Sequence, residues 1–379
     1  MSLKNLVYGS MLACMLFLSS TLGTIVMVTP TLPIIFLSPV LSRRIMDYLI
    51  KLWFLLAVAM YELLMGVKIK IKGNPSHRGT SSLILSNHRT RLDWLFLMSY
   101  LCRFSAINEY RISLKASLKK FPGAGWAMQC AGFLFLNRKW EEDKDHISNG
   151  IHYFSQVKSK PQFLLFPEGT DMCERATARS HAFAEKEGLV KYEYVLHPRI
   201  TGFIHFVKEM KKGQILDSIL DVTVAYPKKI IQSELQTLKG EFPEEIHFYV
   251  QDYPIETLPE SDVELAEWLK KLWSEKEARL KKFYEDKKFI TDDASLTINE
   301  DSSQCVDWEL KQRLYGVVLF WVVFLFVVFT CLILYPMFQV FFLICCFTYV
   351  VISIRHGGVD NVIYTAVRNY EPLVAPKDN

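Results

Sequence analysis

Residues 87–94 read Asn87-His88-Arg89-Thr90-Arg91-Leu92-Asp93-Trp94 and follow directly on the apolar run Leu83-Ile84-Leu85. A short apolar run, a polar stretch and then an apolar helical period over 92–101 describe a strand handing over to a helix. His88 then sits at a strand's carboxyl end, where α/β sheets place ligands. An imidazole with a carboxylate five residues on has the parts of a general base and its orienting partner. The His takes a proton from an alcohol; the Asp fixes the tautomer and stabilises the imidazolium. On a continuous helix five positions are about 140° apart, so the pair meets only if His88 lies in the turn before the helix. The spacing alone is a weak signal. His247 and Asp252 repeat it inside the strand-like run 246–250 and its continuation. An odd separation on a strand puts two side chains on opposite faces, so that pair reads as structural.

What lifts His88 is company in order. Gly132-Phe133-Leu134-Phe135-Leu136-Asn137-Arg138 is an apolar strand ending in a cation. Phe166-Pro167-Glu168-Gly169-Thr170 ends another strand in a turn with a carboxylate and a hydroxyl, and Leu196-His197-Pro198-Arg199 follows. Around these blocks, candidate strands at 67–71, 82–85, 133–136, 162–166, 220–225 and 246–250 alternate with helical patterns. The helical patterns cover 92–101, 112–120, 144–157, 178–186 and 263–283. The last opens with Ser261 and Glu264, a capping-box pair. Alternation of this kind indicates an α/β domain.

Outside this region the charge disappears. Residues 5–42 and 316–354 carry no charged side chain. A bilayer core takes roughly 20 helical residues, and each run is nearly twice that. Pro336 splits the second run into a two-crossing hairpin. Lys311 and Arg313 before it, with Arg355 and His356 after it, put both its ends on the cytosolic side. Pro30, Pro33 and Pro39 break the first run, leaving 6–28 as a candidate membrane helix. A signal peptide would have a shorter apolar core and a small-residue cleavage site. A second apolar stretch, 45–67, contains Asp47, Lys51 and Glu62 and either spans or lies in one leaflet. The organisation expected is N-terminal membrane-embedded helices (1–66), an α/β domain (67–290), a polar acidic linker (291–313), a transmembrane hairpin (314–355) and a short tail (356–379).

Composition narrows the partners. Of 379 residues 50% are hydrophobic, and 44 Lys and Arg against 40 Asp and Glu give a net charge of +4. No polybasic stripe is present, which disfavours nucleic acid. The eight Cys contain no CxxC pair, so neither a metal site nor a disulfide framework is expected.

The four ordered blocks, over roughly residues 67–288, resemble the glycerolipid acyltransferase family, the 1-acylglycerol-3-phosphate acyltransferases and relatives (PlsC-like). The resemblance implies a central mixed sheet flanked by helices, with membrane helices at both ends. It implies His88 as catalytic base with Asp93 as its partner. Arg138, Glu168, Gly169 and Thr170 would hold the phosphoglycerol acceptor. Arg138 has a plainer alternative, a surface cation facing Glu141-Glu142-Asp143. Many members carry Arg straight after the Phe-Pro-Glu-Gly-Thr block, where this chain has Asp171; Arg175 or Arg179 are the substitutes on offer. Block four reads Pro198-Arg199 where members often have Pro-Val. Lys115 and Lys119 are either a solvated face or contacts to phospholipid or CoA phosphates. The run from Phe166 to Phe203, with residues 87–94, is most similar to the lysocardiolipin acyltransferase branch.

The implied reaction is direct acyl transfer from acyl-CoA, as co-substrate, to a lysophospholipid hydroxyl. Lysocardiolipin, lysophosphatidylinositol or lysophosphatidylglycerol would be the acceptor, and the site would lie at the cytosolic face of the endoplasmic reticulum membrane. Backbone N–H groups near the His88 turn are the expected oxyanion donors. No GxSxG nucleophile motif occurs and no bound cofactor is expected. The alternatives are a lysophosphatidate acyltransferase, a CoA-independent transacylase and a non-enzymatic membrane tether.

Overall fold

The computed structural model describes residues 3–74, 79–290 and 300–370, without the side chains of 3–4 and 300–307. Runs rich in Ile, Leu, Val and Phe form the strands Lys68–Gly73 (β1), Ser82–Ser86 (β2), Tyr110–Lys115 (β3), Leu134–Leu136 (β4), Gln162–Leu165 (β5), Ser218–Ala225 (β6) and Glu245–Pro254 (β7). They make one seven-stranded sheet in the order β1-β7-β6-β2-β5-β3-β4. Neighbours are parallel except β6 and β7. The strands β6, β2, β5, β3 and β4 therefore deliver their carboxyl ends to one edge. Strands β2, β5 and β6 are buried along their whole length, as expected of parallel strands covered on both faces.

Helices Leu3–Gly23 (α1) and Pro39–Ala59 (α2) precede the sheet. Asp93–Phe104 (α3), Ala124–Cys130 (α4), Trp140–Gln156 (α5), Glu174–Lys186 (α6), Ile200–Lys212 (α7), Glu234–Leu238 (α8) and Asp262–Asp286 (α9) alternate with or follow the strands. Glu300–Leu334 (α10), Pro336–His356 (α11) and Val359–Arg368 (α12) close the described chain. Ser261 caps α9 by accepting from Glu264 N, and its hydroxyl donates to the Glu264 carboxylate.

Several expectations need correction. The helical pattern over 112–120 is half wrong: Tyr110–Lys115 is a strand and only Ala116–Lys120 turns, as a short 3-10 helix. Helix α7 was not expected, although Phe203, Phe206, Val207 and Met210 are buried at helical spacing. Pro30 and Pro33 do not end the first helix. It passes through a π-turn at Thr24–Val28 into a 3-10 stretch, Thr29–Phe36, and stops only at Ser38 before α2. The π-turn redistributes the carbonyls that the proline nitrogens cannot satisfy. Of the linker 291–313, residues 291–299 lie outside the described residues and the rest is the start of α10. Of the tail 356–379, residues 371–379 lie outside the described residues, and the part before them carries α12, which buries Val359, Asp360, Ile363, Tyr364 and Val367 and pairs Asp360 with Lys119 at 2.7 Å.

Three helical segments are long and apolar enough to cross a membrane, Asn5–Phe36, Trp308–Leu334 and Pro336–His356. The hairpin between the last two turns at Tyr335, extended as a residue before proline must be. The stretch 45–67 behaves differently. Its Asp47 is buried between Arg43 at 2.7 Å and Arg111 of β3 at 2.5 Å, and Arg43 also donates to Cys130 O at 3.0 Å. Its Glu62 pairs with Arg103 of α3 at 2.8 Å. Charges committed to the domain at both ends fix α2 along the domain.

Candidate active site

The His88 turn is built by its neighbours. The Asn87 side chain acts as an extra strand residue: its amide donates to Val224 O at 3.0 Å and its oxygen accepts from Val224 N at 2.8 Å. That ties the end of β2 to β6 and leaves residues 88–92 outside the helix. Asp93, the first residue of α3, reaches back to accept from Thr90 N at 2.8 Å, while Thr90 Oγ1 accepts from Leu92 N at 3.0 Å. This is the reciprocal economy of a capping box. Asp93 Oδ2 also meets His88 Nδ1 at 3.0 Å, with the two side chains 2% and 16% exposed. Tyr226, just past β6, donates its hydroxyl to Asp93 Oδ1 at 2.5 Å. Burial pushes the Tyr226 phenol well above its ordinary value, so it remains a donor. The imidazole lies flat on Phe166, with ring centroids 3.9 Å apart and planes 13° apart. The ring is thus held on one face and at Nδ1, which leaves Nε2 for chemistry.

The neighbouring strand end supplies Glu168. Its buried carboxylate accepts from His88 N at 3.3 Å and from the Leu196 amide. Burial pushes it up to about 8, although those amide bonds pull the other way. Gly169 turns the chain at φ 73° with its N–H on Phe166 O at 3.0 Å. Arg199 N donates to Pro167 O at 2.8 Å, and the Arg199 side chain crosses directly over Gly169: a Cβ there would lie 2.9 Å from Nε. In the sequence, Arg199 reads only as a departure in block four. The signal for it is the glycine opposite, which is invisible without the fold.

A cleft of about 880 Å³ opens over these residues and holds His88, Lys115, Arg138, Glu168, Gly169, Thr170, Arg179 and Arg199 among its lining. Leu114, Leu136, Ile147, Phe203 and Phe206 give it an apolar side. Arg138 adopts a left-handed backbone, φ 63°, a conformation that costs a non-glycine residue about 1 kcal/mol. Asp143 holds it there by accepting from Asn137 N at 2.7 Å and Lys139 N at 3.1 Å. The acidic run does not neutralise Arg138: Glu141 pairs with Lys144 and Glu142 with Lys139.

Other predicted contacts separate. Lys119 is held by Asp360 and is not in the cleft lining, and Arg175 is exposed on α6 and absent from it as well. Asp171 faces Arg91 at 3.5 Å. Thr170 Oγ1 approaches Asp171 at 3.5 Å. In the His88 turn, where oxyanion donors are expected, the amides of His88 and Thr90 are already committed to Glu168 and Asp93. His247 bonds Glu245 at 3.2 Å, in keeping with a structural role. No group of metal-ligating side chains occurs among the described residues.

An imidazole held by a carboxylate stands at the mouth of a cationic, half-apolar cleft, and the chain belongs to the acyltransferase family. The family model described as Acyltransferase matches residues 68–227, and that described as Acyltransferase C-terminus matches 236–321. Lysocardiolipin acyltransferase 1 of Gallus gallus is 52% identical over 270 residues, 71% of this chain and 71% of that protein. Its Danio rerio counterpart is 44% identical over 340 residues, 86% and 88% of the two chains. Lysophosphatidylinositol acyltransferase 10 of Caenorhabditis elegans is 37% identical over 332 residues, 85% and 83%. Within the family the chain falls in the lysocardiolipin acyltransferase branch. Among solved structures, the 1-acyl-sn-glycerophosphate (LPA) acyltransferase PlsC from Thermotoga maritima aligns at 14% identity with TM-score 0.43, covering 73% of this chain and 97% of that one.

Proposed function

We propose that this acyltransferase moves a fatty acyl group from acyl-CoA to the free hydroxyl of a lysophospholipid, of the lysocardiolipin, lysophosphatidylinositol or lysophosphatidylglycerol type. His88 Nε2 takes the proton from the acceptor hydroxyl, and Asp93 steadies the imidazolium. The alkoxide attacks the thioester carbonyl, and the tetrahedral intermediate expels the CoA thiolate. The imidazolium returns its proton to that sulfur, so ester and free CoA leave and the base is regenerated. Arg138 and the turn of Glu168, Gly169 and Thr170 hold the phosphoglycerol. The apolar side of the cleft takes an acyl chain.

The observation that carries this reading is the His88–Asp93 pair, fixed by Tyr226 and Phe166, at the mouth of a cleft with cations on one side and aliphatic side chains on the other. The names of the relatives support the acceptor class. The apolar helices and their basic flanks support a multi-pass protein of the endoplasmic reticulum membrane with the site toward the cytosol, where acyl-CoA is made. The test is acyl transfer by purified protein in detergent, with labelled oleoyl-CoA and lysophosphatidate, lysophosphatidylinositol, lysophosphatidylglycerol and monolysocardiolipin offered separately. Product is expected from the last three acceptors and only when the thioester is present. Transfer without CoA thioester, or to lysophosphatidate alone, would overturn the reading.

A further inference from the structure

The cleft carries cations on separate strand ends, and two of them stand apart. Arg138 follows β4 and Arg199 lies over the turn that follows β5, with β3 and its terminal Lys115 between them. Strands β4 and β5 lie two strand spacings apart, roughly 10 Å. Arg199 is exposed, and among the described residues neither it nor Arg138 forms an ion pair. The carboxylates that might have neutralised them are occupied. Asp171 faces Arg91, and Asp143 in the cleft wall is spent on the amides of Asn137 and Lys139. The Arg199 backbone is pinned by its amide to Pro167 O at 2.8 Å, and its side chain passes over Gly169, where a Cβ would come within 2.9 Å of Nε. A guanidinium without a carboxylate in the lining of a cleft is suited to a phosphate that arrives with the substrate.

One phosphate engages one such post. Two posts separated across β3 match two phosphates held apart by a short polar bridge. We propose that Arg199 is a specificity-determining residue, a second phosphate contact beside Arg138 that favours acceptors with two phosphates over acceptors with one. This rests on the lysophospholipid reading above and adds to it the residue that selects within that class.

The test compares kcat/KM for monolysocardiolipin, with two phosphates, and lysophosphatidylglycerol, with one, in the full-length protein and its Arg199→Ala and Arg199→Lys variants. Thermal melting confirms that each variant is folded. Loss of a charged contact is expected to lower the preference for monolysocardiolipin over lysophosphatidylglycerol by about tenfold in Arg199→Ala, through KM. Arg199→Lys recovers part of that preference, because its charge remains while the planar fork is lost. An equal loss on both acceptors would overturn the inference, as would an unchanged ratio. A rise confined to the KM of acyl-CoA would assign Arg199 to the donor's phosphates and equally overturn it. Wild-type protein that acylates lysophosphatidylglycerol and not monolysocardiolipin would sink this inference and leave the proposed function standing. Wild-type protein that acylates neither of these, nor lysophosphatidylinositol, would sink both.

Discussion

At the scale of single residues, Asp93 is where the bonds converge. One carboxylate accepts from the Thr90 amide, His88 Nδ1 and the Tyr226 hydroxyl, so helix start, imidazole and second strand end are fixed by the same group. Its neighbour Glu168 is held differently, since burial pushes its carboxyl up to about 8 from an ordinary 4.5. The folded chain therefore binds that proton more tightly than the unfolded chain does. The stability this group contributes is complete at low pH and is lost as the pH rises from about 4.5 through about 8. Glu168→Gln cannot titrate. Melting of both proteins in detergent from about pH 5 to about pH 9 is expected to show the wild type losing more stability with rising pH than the variant. Parallel curves would show that Glu168 is ionised throughout.

At the scale of elements, α2 is joined to the domain by buried charge. Asp47 sits between Arg43 and Arg111, and removing it strands two guanidinium groups away from water. Breaking such a group typically costs about 3–5 kcal/mol. Asp47→Asn should therefore lower the melting temperature far more than Lys70→Gln, which breaks a pair whose Lys70 side chain is 58% exposed. Equal melting of the two variants would mean that the helix is docked by its apolar face alone. The elements also show where sequence reading succeeds. Strands β2 and β5 were legible because short unbroken apolar runs suit burial on both faces, and β6 and β7 because Ile, Leu, Val, Phe and Tyr dominate their centres. Strand β3 was not, because Tyr110-Arg111-Ile112-Ser113-Leu114-Lys115 continues without punctuation into Ala116–Lys120. Pairing with β5 and β4 decides its conformation, not its own period. His88 and Asp93 were readable because their relation is local. Tyr226, 133 residues from Asp93, and Arg199, opposite Gly169, become site residues only when the sheet order brings distant strand ends together.

At the scale of the whole molecule, the ends of the described chain return to the domain. Near its start, Gly9 packs so closely on the Thr237 and Leu238 carbonyls beside α8 that a side chain would clash. The first turns of α2 are held by Arg43 to Cys130 O, and α12 is held by Asp360 to Lys119. Helices α10 and α11 alone reach away from it and come back, with Tyr335 57% exposed at their turn. In sealed microsomes, single cysteines replacing Lys239 and Asn369 in a cysteine-depleted background should react with an impermeant maleimide from one side, and a cysteine replacing Tyr335 only after the membrane is opened. Labelling of the Asn369 site from the side opposite Lys239 would contradict this arrangement. The central claim, however, concerns one nitrogen. The most direct measurement is release of CoA coupled to acceptor acylation by wild type, His88→Ala and Asp93→Asn under identical detergent conditions, with folding checked by melting. The account expects His88→Ala to abolish measurable transfer and Asp93→Asn to reduce kcat by roughly 10³-fold or more, because the imidazole loses its tautomer and its counter-charge. Transfer by folded His88→Ala at the wild-type rate would contradict it.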